Sequence, residues 1–242
     1  DLTLTNGAGI TDSLGQTVTV SGNLSATTTS GAILLDGLAV AATGTISVNT
    51  SGTNNATVVN AVGVDFANSV VGGTLTATAT TGDVEDTGSI MTGTGTSTFT
   101  AANTQNIILD NGSNNFGGAV TFTALSGNLT NVTIVDTTTL DLGTLNIGGN
   151  LSVTAAGITQ TGGTLTVTGT STFAAGATND ITLAQANDFG GAVSVTTAND
   201  VSVTDINAIV LGAMSLSNTG NLSVTATAGA GDITQTGALT VT

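Results

Sequence analysis

The sequence contains no Lys, Arg, His, Pro, Cys, Trp or Tyr. Nucleic-acid binding requires cations that neutralise phosphates, and binding to an anionic membrane surface requires them as well, so the sequence excludes both. Every charged side chain is a carboxylate, and the net charge of −15 favours solubility. The cationic groups that usually stabilise a developing anion are also missing, which argues against an enzyme.

The missing Cys and Pro carry separate information. A protein exported unfolded through an oxidising compartment gains from having no thiols, so we expect an extracellular destination. Pro removes a donor from a strand ladder, so its absence favours strands that pair on both sides.

No apolar run reaches the length of a membrane span, and no membrane insertion is expected. Asp1 opens directly into a strand pattern without a signal peptide, which indicates a mature product or an internal excerpt.

The chain repeats at intervals of about 74 residues. Matching tripeptides stand at residues 10–12, 84–86, 158–160 and 233–235, spaced by 74, 74 and 75 residues. Thr-Ser-Thr-Phe at 96–99 returns at 170–173, and Phe-Gly-Gly-Ala-Val at 116–120 returns at 189–193. We therefore predict a single continuous domain over 1–242 with repeats at 10–83, 84–157 and 158–232.

Each long repeat divides into units of about 20 to 28 residues, too short to bury a face alone but suited to one turn of a solenoid. One unit has strand signals at 192–196, 200–204 and 208–211, and the next has them at 213–217, 221–225 and 232–235. This pattern predicts an all-β fold, a parallel β-solenoid with three strands per coil and roughly nine or ten coils. The sequence does not place the corners within 31–66.

Period-2 alternation assigns the side chains to two faces. Pairs such as Val193 and Val195, and Leu222 and Val224, are predicted to point inwards, with Ser and Thr between them pointing outwards. The six Phe, with no Tyr or Trp, fit a dry interior. Gly and Asn are expected at corners that need positive φ.

The repeats resemble the shaft of filamentous-haemagglutinin-like large exoproteins. The resemblance is carried by the segments 149–154, 157–167, 179–183 and 187–195 and covers nearly the whole chain. It implies a right-handed parallel β-helix that a partner pore secretes through the outer membrane and that serves adhesion or biofilm contact at the bacterial surface. The sequence shows neither the family's secretion motif nor a receptor-binding tip, so any contact with a host or neighbouring cell is expected through regions outside this chain.

Three functions follow in order of preference. The first is the structural shaft of a secreted adhesin, and the second is a self-assembling extracellular filament or surface-layer subunit. The third is a polysaccharide-active or ice-binding β-helix. Residues 1–4 match the pattern of the second strand of a coil, and residues 238–241 match that of a first strand. Both ends are therefore expected to present unpaired strand edges, which either covalent continuation of the chain or head-to-tail association of chains would cover.

No catalytic, cofactor-binding or metal site is predicted. The best candidate for chemistry is the acidic cluster Asp83, Glu85 and Asp86, because paired carboxylates could hydrolyse glycosides. The alternative is a solvated corner, since the positions equivalent to Asp86 carry Asp12, Gln160 and Gln235.

Three weaker motifs are more simply explained by composition. Residues 229–232 resemble a calcium-binding nonapeptide but lack its paired glycines and its period. Thr-x-Thr pairs at 76–78 and 121–123 resemble those of ice-binding solenoids, but that function needs the pair on one flat face in every coil, and residues 213–217 interrupt it. The Asn-x-Ser/Thr sequons at Asn128, Asn150 and Asn221 are expected by chance in this composition.

Overall fold

A computed structural model describes residues 1–12, 15–217, 219–227 and 231–241. In those ranges the protein is all-β, without helix, and its parallel sheets stack as a β-solenoid of about 11 turns. The predicted fold class is confirmed, with slightly more coils than the nine or ten expected. The chain forms two compact units, residues 1–129 and 130–242.

The first unit consists of short strands joined by tight corners. Its strands are β1 (Leu2–Asn6), β2 (Ile10–Thr11), β3 (Val18–Val20), β4 (Leu24–Thr28), β5 (Ile33–Val40), β6 (Ile46–Asn49), β7 (Ala56–Asn60), β8 (Val64–Phe66), β9 (Ser69–Val71), β10 (Leu75–Ala79), β11 (Val84–Asp86), β12 (Ile90–Thr92), β13 (Ser97–Ala101), β14 (Ile107–Leu109), β15 (Asn115–Phe116) and β16 (Val120–Ala124).

The second unit has the same character. Its strands are β17 (Val132–Val135), β18 (Leu140–Asp141), β19 (Leu145–Ile147), β20 (Leu151–Thr154), β21 (Ile158–Thr159), β22 (Leu165–Val167), β23 (Ser171–Ala174), β24 (Ile181–Phe189), β25 (Val193–Ala198), β26 (Val201–Asp205), β27 (Ile209–Leu216), β28 (Leu222–Ala226), β29 (Ile233–Gln235) and β30 (Leu239–Thr240).

Strand pairing runs from coil to coil, so each residue stacks on its counterpart about 20 residues away. In the first unit Leu2 pairs with Leu24, which pairs with Ile46. In the second unit Leu151 pairs with Ser171, which pairs with Val193. The ladders of the described residues are parallel, as a solenoid requires, because each coil runs in the same direction as its neighbour.

Several coils have fewer strands than the three predicted. The signals predicted at 208–211 and 213–217 form one strand, β27, which passes through Gly212 without ending. A side chain at Gly212 would collide with the Ser194 hydroxyl, so this glycine permits close stacking and does not mark a corner. β5 and β24 are also long, and each pairs through an irregular register.

The alternation predicted from sequence is confirmed in the body of the solenoid. Val193 and Val195 are buried, and all six Phe are buried with them. Leu222 and Val224 are only half-buried, because β28 pairs with β26 and has no second neighbour among the described residues. The two valines predicted to be equivalent, Val195 and Val224, therefore differ in how much of the interior surrounds them.

Asn has a different corner role from the one expected. In the described residues the only non-glycine with positive φ is Thr104. Asn and Asp instead accept a backbone N–H from the next coil: Asn150 N–H donates to Asn131 Oδ1 (2.9 Å), and Thr170 N–H donates to Asn150 Oδ1 (2.8 Å). These side chains join successive coils, because they satisfy backbone donors that the corner leaves outside the ladder.

The Ser171 hydroxyl offers a direct test of the interior. It is buried in the column between Leu151 and Val193, and its Oγ has no hydrogen-bond partner. Its counterpart Ser97 lies near the Thr92 hydroxyl at 3.4 Å. We expect Ser171→Ala to stabilise the protein by about 1 kcal/mol, because an unsatisfied buried hydroxyl is destabilising. Ser97→Ala is expected to give no gain, and equal effects in urea unfolding would contradict this account.

Candidate functional site

The acidic cluster lies on and beside β11, and the strand separates Asp86 from Asp83 and Glu85. Asp86 is buried, at 6% exposure, whereas Glu85 next to it is exposed and points to the opposite face. Asp83 is half-buried just before the strand, where its Oδ1 accepts the Asn106 N–H of the next coil at 2.6 Å. The structure therefore does not bring Glu85 and Asp86 together as a catalytic pair.

Asp86 belongs to an interior corner, so the expectation of a solvated corner is wrong for this residue. Its Oδ2 accepts the Asn114 side-chain N–H at 2.5 Å, and its Oδ1 accepts the Asn111 backbone N–H at 3.4 Å. Asn114 Oδ1 in turn accepts the Ile90 N–H at 2.7 Å. Burial raises the pKa of Asp86 to about 6, and these hydrogen bonds only partly oppose the increase.

Two residues at equivalent positions of the long repeat, Asp12 and Gln160, also accept hydrogen bonds from the following coil. Asp12 accepts the Gly37 N–H at 2.7 Å from the following coil. Gln160 exchanges two side-chain hydrogen bonds with Asn187, at 2.7 and 3.0 Å, and both are buried. Position 86 and its counterparts therefore hold the corner of the next coil, and either a carboxylate or an amide serves.

Sequence reasoning missed the interior partners Asn114 and Asn187. Each stands two residues before a buried phenylalanine, Phe116 and Phe189, in a strand-like stretch. Period-2 alternation would have placed them inside with those phenylalanines. The signal was present in the repeated Asn-x-Phe-Gly-Gly segment, but Asn was interpreted as a corner residue because of its general preference for turns.

The outward carboxylates line a shallow groove of about 280 Å³ in the first unit. Asp65, Asp83 and Glu85 border it, together with Gly63 and Gly82. Burial raises the pKa of Glu85, and the negative charges of Asp83, Asp65 and Asp110 raise it further. The groove therefore concentrates negative charge, and it has no cation that would stabilise an anionic transition state.

Metal, membrane and glycan features add little to this site. The described part of the chain contains no cluster of three or more Asp or Glu that could hold a metal ion. The nonapeptide-like segment 229–232 lies partly outside the described residues. None of the described segments is a helix of the length and apolarity that a membrane crossing needs. All three sequon asparagines are exposed, and the side chains of Asn150 and Asn221 also bond to neighbouring coils.

Asp86 makes the stability of the protein depend on pH. The pKa of Asp86 in the folded state, about 6, exceeds the value of about 3.9 for an unfolded Asp, so the folded state binds the proton more tightly. The penalty for burying its charge is absent below about pH 4, grows as the pH rises to about 6 and is constant above. We expect the stability of the native protein relative to Asp86→Asn to fall by up to about 3 kcal/mol across that interval.

Urea unfolding of both proteins at several pH values measures this difference. Carboxylates that are present in both proteins contribute equally to both pH profiles and cancel in the comparison. Asp180 is one of them, and hydrogen bonds from the Asp200 backbone and the Asn199 side chain lower its pKa. Gln160→Glu is the inverse variant, because it installs a carboxylate at the equivalent buried position, and it should gain a similar dependence. Parallel pH profiles for the native protein and Asp86→Asn would show that Asp86 is not responsible.

The parallel ladders, the filled interior and the side chains that connect successive corners define the class of this protein: a repeat protein with a β-solenoid fold. A family described as repeats of unknown function (DUF5649) matches residues 53–123, 129–196 and 198–242. These matches cover most of the chain, which therefore belongs to that family. Searches of the curated proteins and of the solved structures gave no match.

Proposed function

We propose that this chain is a structural shaft segment of a secreted surface adhesin, which holds a binding region away from the cell. The observation that supports it is the continuity of coil-to-coil pairing within each unit. In such a stack every coil adds about 4.8 Å of rigid length. A spacer needs this property and no reactive site.

The side-chain chemistry agrees with a spacer. The polar groups of the interior, such as Asp86 with Asn114 and Gln160 with Asn187, are used to hold corners. The acidic groove around Glu85 is shallow and its carboxylates repel one another. The interior residues of types that serve catalysis elsewhere therefore hold corners here. Export through a partner pore and an extracellular location are part of the same proposal.

Antibodies raised against residues 1–242 test the proposal on intact producing cells. We expect immunogold label outside the envelope, and a native polypeptide much larger than 23.2 kDa on denaturing gels. Label outside the envelope with a native mass near 23.2 kDa would instead favour a self-assembling filament or surface-layer subunit. Label confined to the cell interior would contradict both functions.

A further inference from the structure

One sheet of the first unit presents a regular array of threonines to solvent. The array, here called the Thr grid, consists of the outward side chains of four successive strands, β7, β10, β13 and β16: Thr57, Val59, Thr76, Thr78, Thr98, Thr100, Thr121 and Thr123. The inward side chains of these strands, including Phe99 and Phe122, are buried. The Thr-x-Thr pairs that the sequence suggested therefore share one face over these coils, and the segment 213–217 that interrupts the pattern in the sequence falls on β27, in another sheet.

The grid is in register in both directions. Thr76 pairs with Thr98, and Thr98 pairs with Thr121. In the second column Thr78 pairs with Thr100, and Thr100 pairs with Thr123. The hydroxyls therefore repeat about every 4.8 Å from coil to coil and about every 6.6 Å along each strand.

The hydroxyls of the grid are available to an external partner. Among the described residues, those of Thr76, Thr78, Thr98 and Thr121 make no hydrogen bond to protein, and Thr100 and Thr123 bond to each other at 2.7 Å. Corner threonines behave differently: Thr80 donates to the Ala61 carbonyl at 2.8 Å. Apart from the Thr100–Thr123 pair, the threonines of the grid are thus not needed to hold the coils together.

The grid is also free of charge in a chain with a net charge of −15. None of its four strands carries a charged residue; the neighbouring strand of the same sheet, β5, carries Asp36, and the acidic residues of β11 lie on another sheet. No aromatic ring reaches the grid from the outside, since all six Phe are buried. Four adjacent strands without a charge or an exposed aromatic ring are a poor fit for a cationic protein or for sugar rings, which usually stack on aromatic side chains.

We propose that the Thr grid binds the ordered water of an ice surface. Its two repeat distances approximate those of the water oxygens on a prism face of hexagonal ice. Each hydroxyl donates or accepts as the lattice demands, and each methyl group keeps the adjacent water ordered. The ladder fixes these groups before binding, so little conformational entropy is lost on contact. This inference stands independently of the proposed shaft function.

The experiment is an assay of ice recrystallisation with the complete chain. We expect the native protein to keep ice grains small, and Thr98→Asp to return grain growth to that of the buffer blank. Thr172→Asp is the matched control, because Thr172 occupies the same Thr-Ser-Thr-Phe segment and pairs with Ser152 and Ser194 outside the grid. It should retain the native effect, and circular dichroism should show both variants folded.

Val59→Thr provides a test that does not depend on loss of function. Val59 pairs with Thr78 and is the single non-threonine member of the grid. Supplying the missing hydroxyl should lower the concentration needed to arrest grain growth. The proposal is overturned if the native protein does not differ from the blank, or if Thr98→Asp and Thr172→Asp lose activity equally. It also fails if the native protein sediments as a dimer that Thr98→Asp abolishes, while the substitution leaves the effect on ice growth unchanged.

Discussion

Val195→Asp is expected to destabilise the second unit by about 3 to 5 kcal/mol at neutral pH, because it leaves an unpaired charge in the interior. Val195 is 1% exposed and stacks between Phe173 and Met214 in the neighbouring coils. No cation exists in the chain to pair with a new carboxylate. Urea unfolding followed by far-ultraviolet circular dichroism measures the loss, which should diminish at acid pH as the new group becomes protonated.

Thr196→Asp is the matched control for this substitution. Thr196 is the next residue and is exposed, so its carboxylate remains hydrated and the stability should change by less than about 0.5 kcal/mol. Ser194, the outward neighbour on the other side, is less suitable as a control, because its hydroxyl occupies the space that Gly212 leaves open. Val224→Asp should cost less than Val195→Asp, because Val224 is only half-buried. Equal losses at 195 and 196 would refute the assignment of faces.

Phe99→Ala is expected to destabilise the first unit by about 3 to 5 kcal/mol, since it opens a cavity in a packed interior. The Phe99 ring lies 5.8 Å from Phe116 and 6.3 Å from both Phe66 and Phe122, measured between ring centroids. The contacts with Phe66 and Phe116 are edge-to-face, an arrangement that adds to the stabilisation from burial.

Phe173→Ala is the natural comparison, because Phe173 occupies the same position of the repeated Thr-Ser-Thr-Phe segment. Phe173 is equally buried but contacts one ring, Phe189, at 6.3 Å. Its loss should therefore cost less than the loss of Phe99, by about 1 kcal/mol for the additional aromatic pairs. A larger loss for Phe173→Ala than for Phe99→Ala in urea unfolding would show that the aromatic cluster is not what stabilises the first unit.

The long repeat and the corner chemistry illustrate what could be predicted and what could not. The tripeptides at 10–12, 84–86 and 158–160 were visible as equivalent, and in the structure Asp12, Asp86 and Gln160 all hold a following corner. The burial of Asp86 and Gln160 was not visible, because corner residues of one coil become interior only when the next coil covers them. Asp86 thus looked like a member of an acidic cluster, although it is a structural residue.

The sequence alone determined the fold class, because alternation and repetition are local patterns that allow few arrangements. It also determined which residues of β22 and β25 face inwards, since the two-residue period assigns every side chain once one is fixed. The tertiary structure decided which outward residues meet. Thr76, Thr98 and Thr121 are separated by more than 20 residues each, and only the offset between coils places them in one column. That offset depends on how many residues each corner uses, a quantity that side-chain contacts such as those of Asn114 with Asp86 and Ile90 set and that no local pattern encodes.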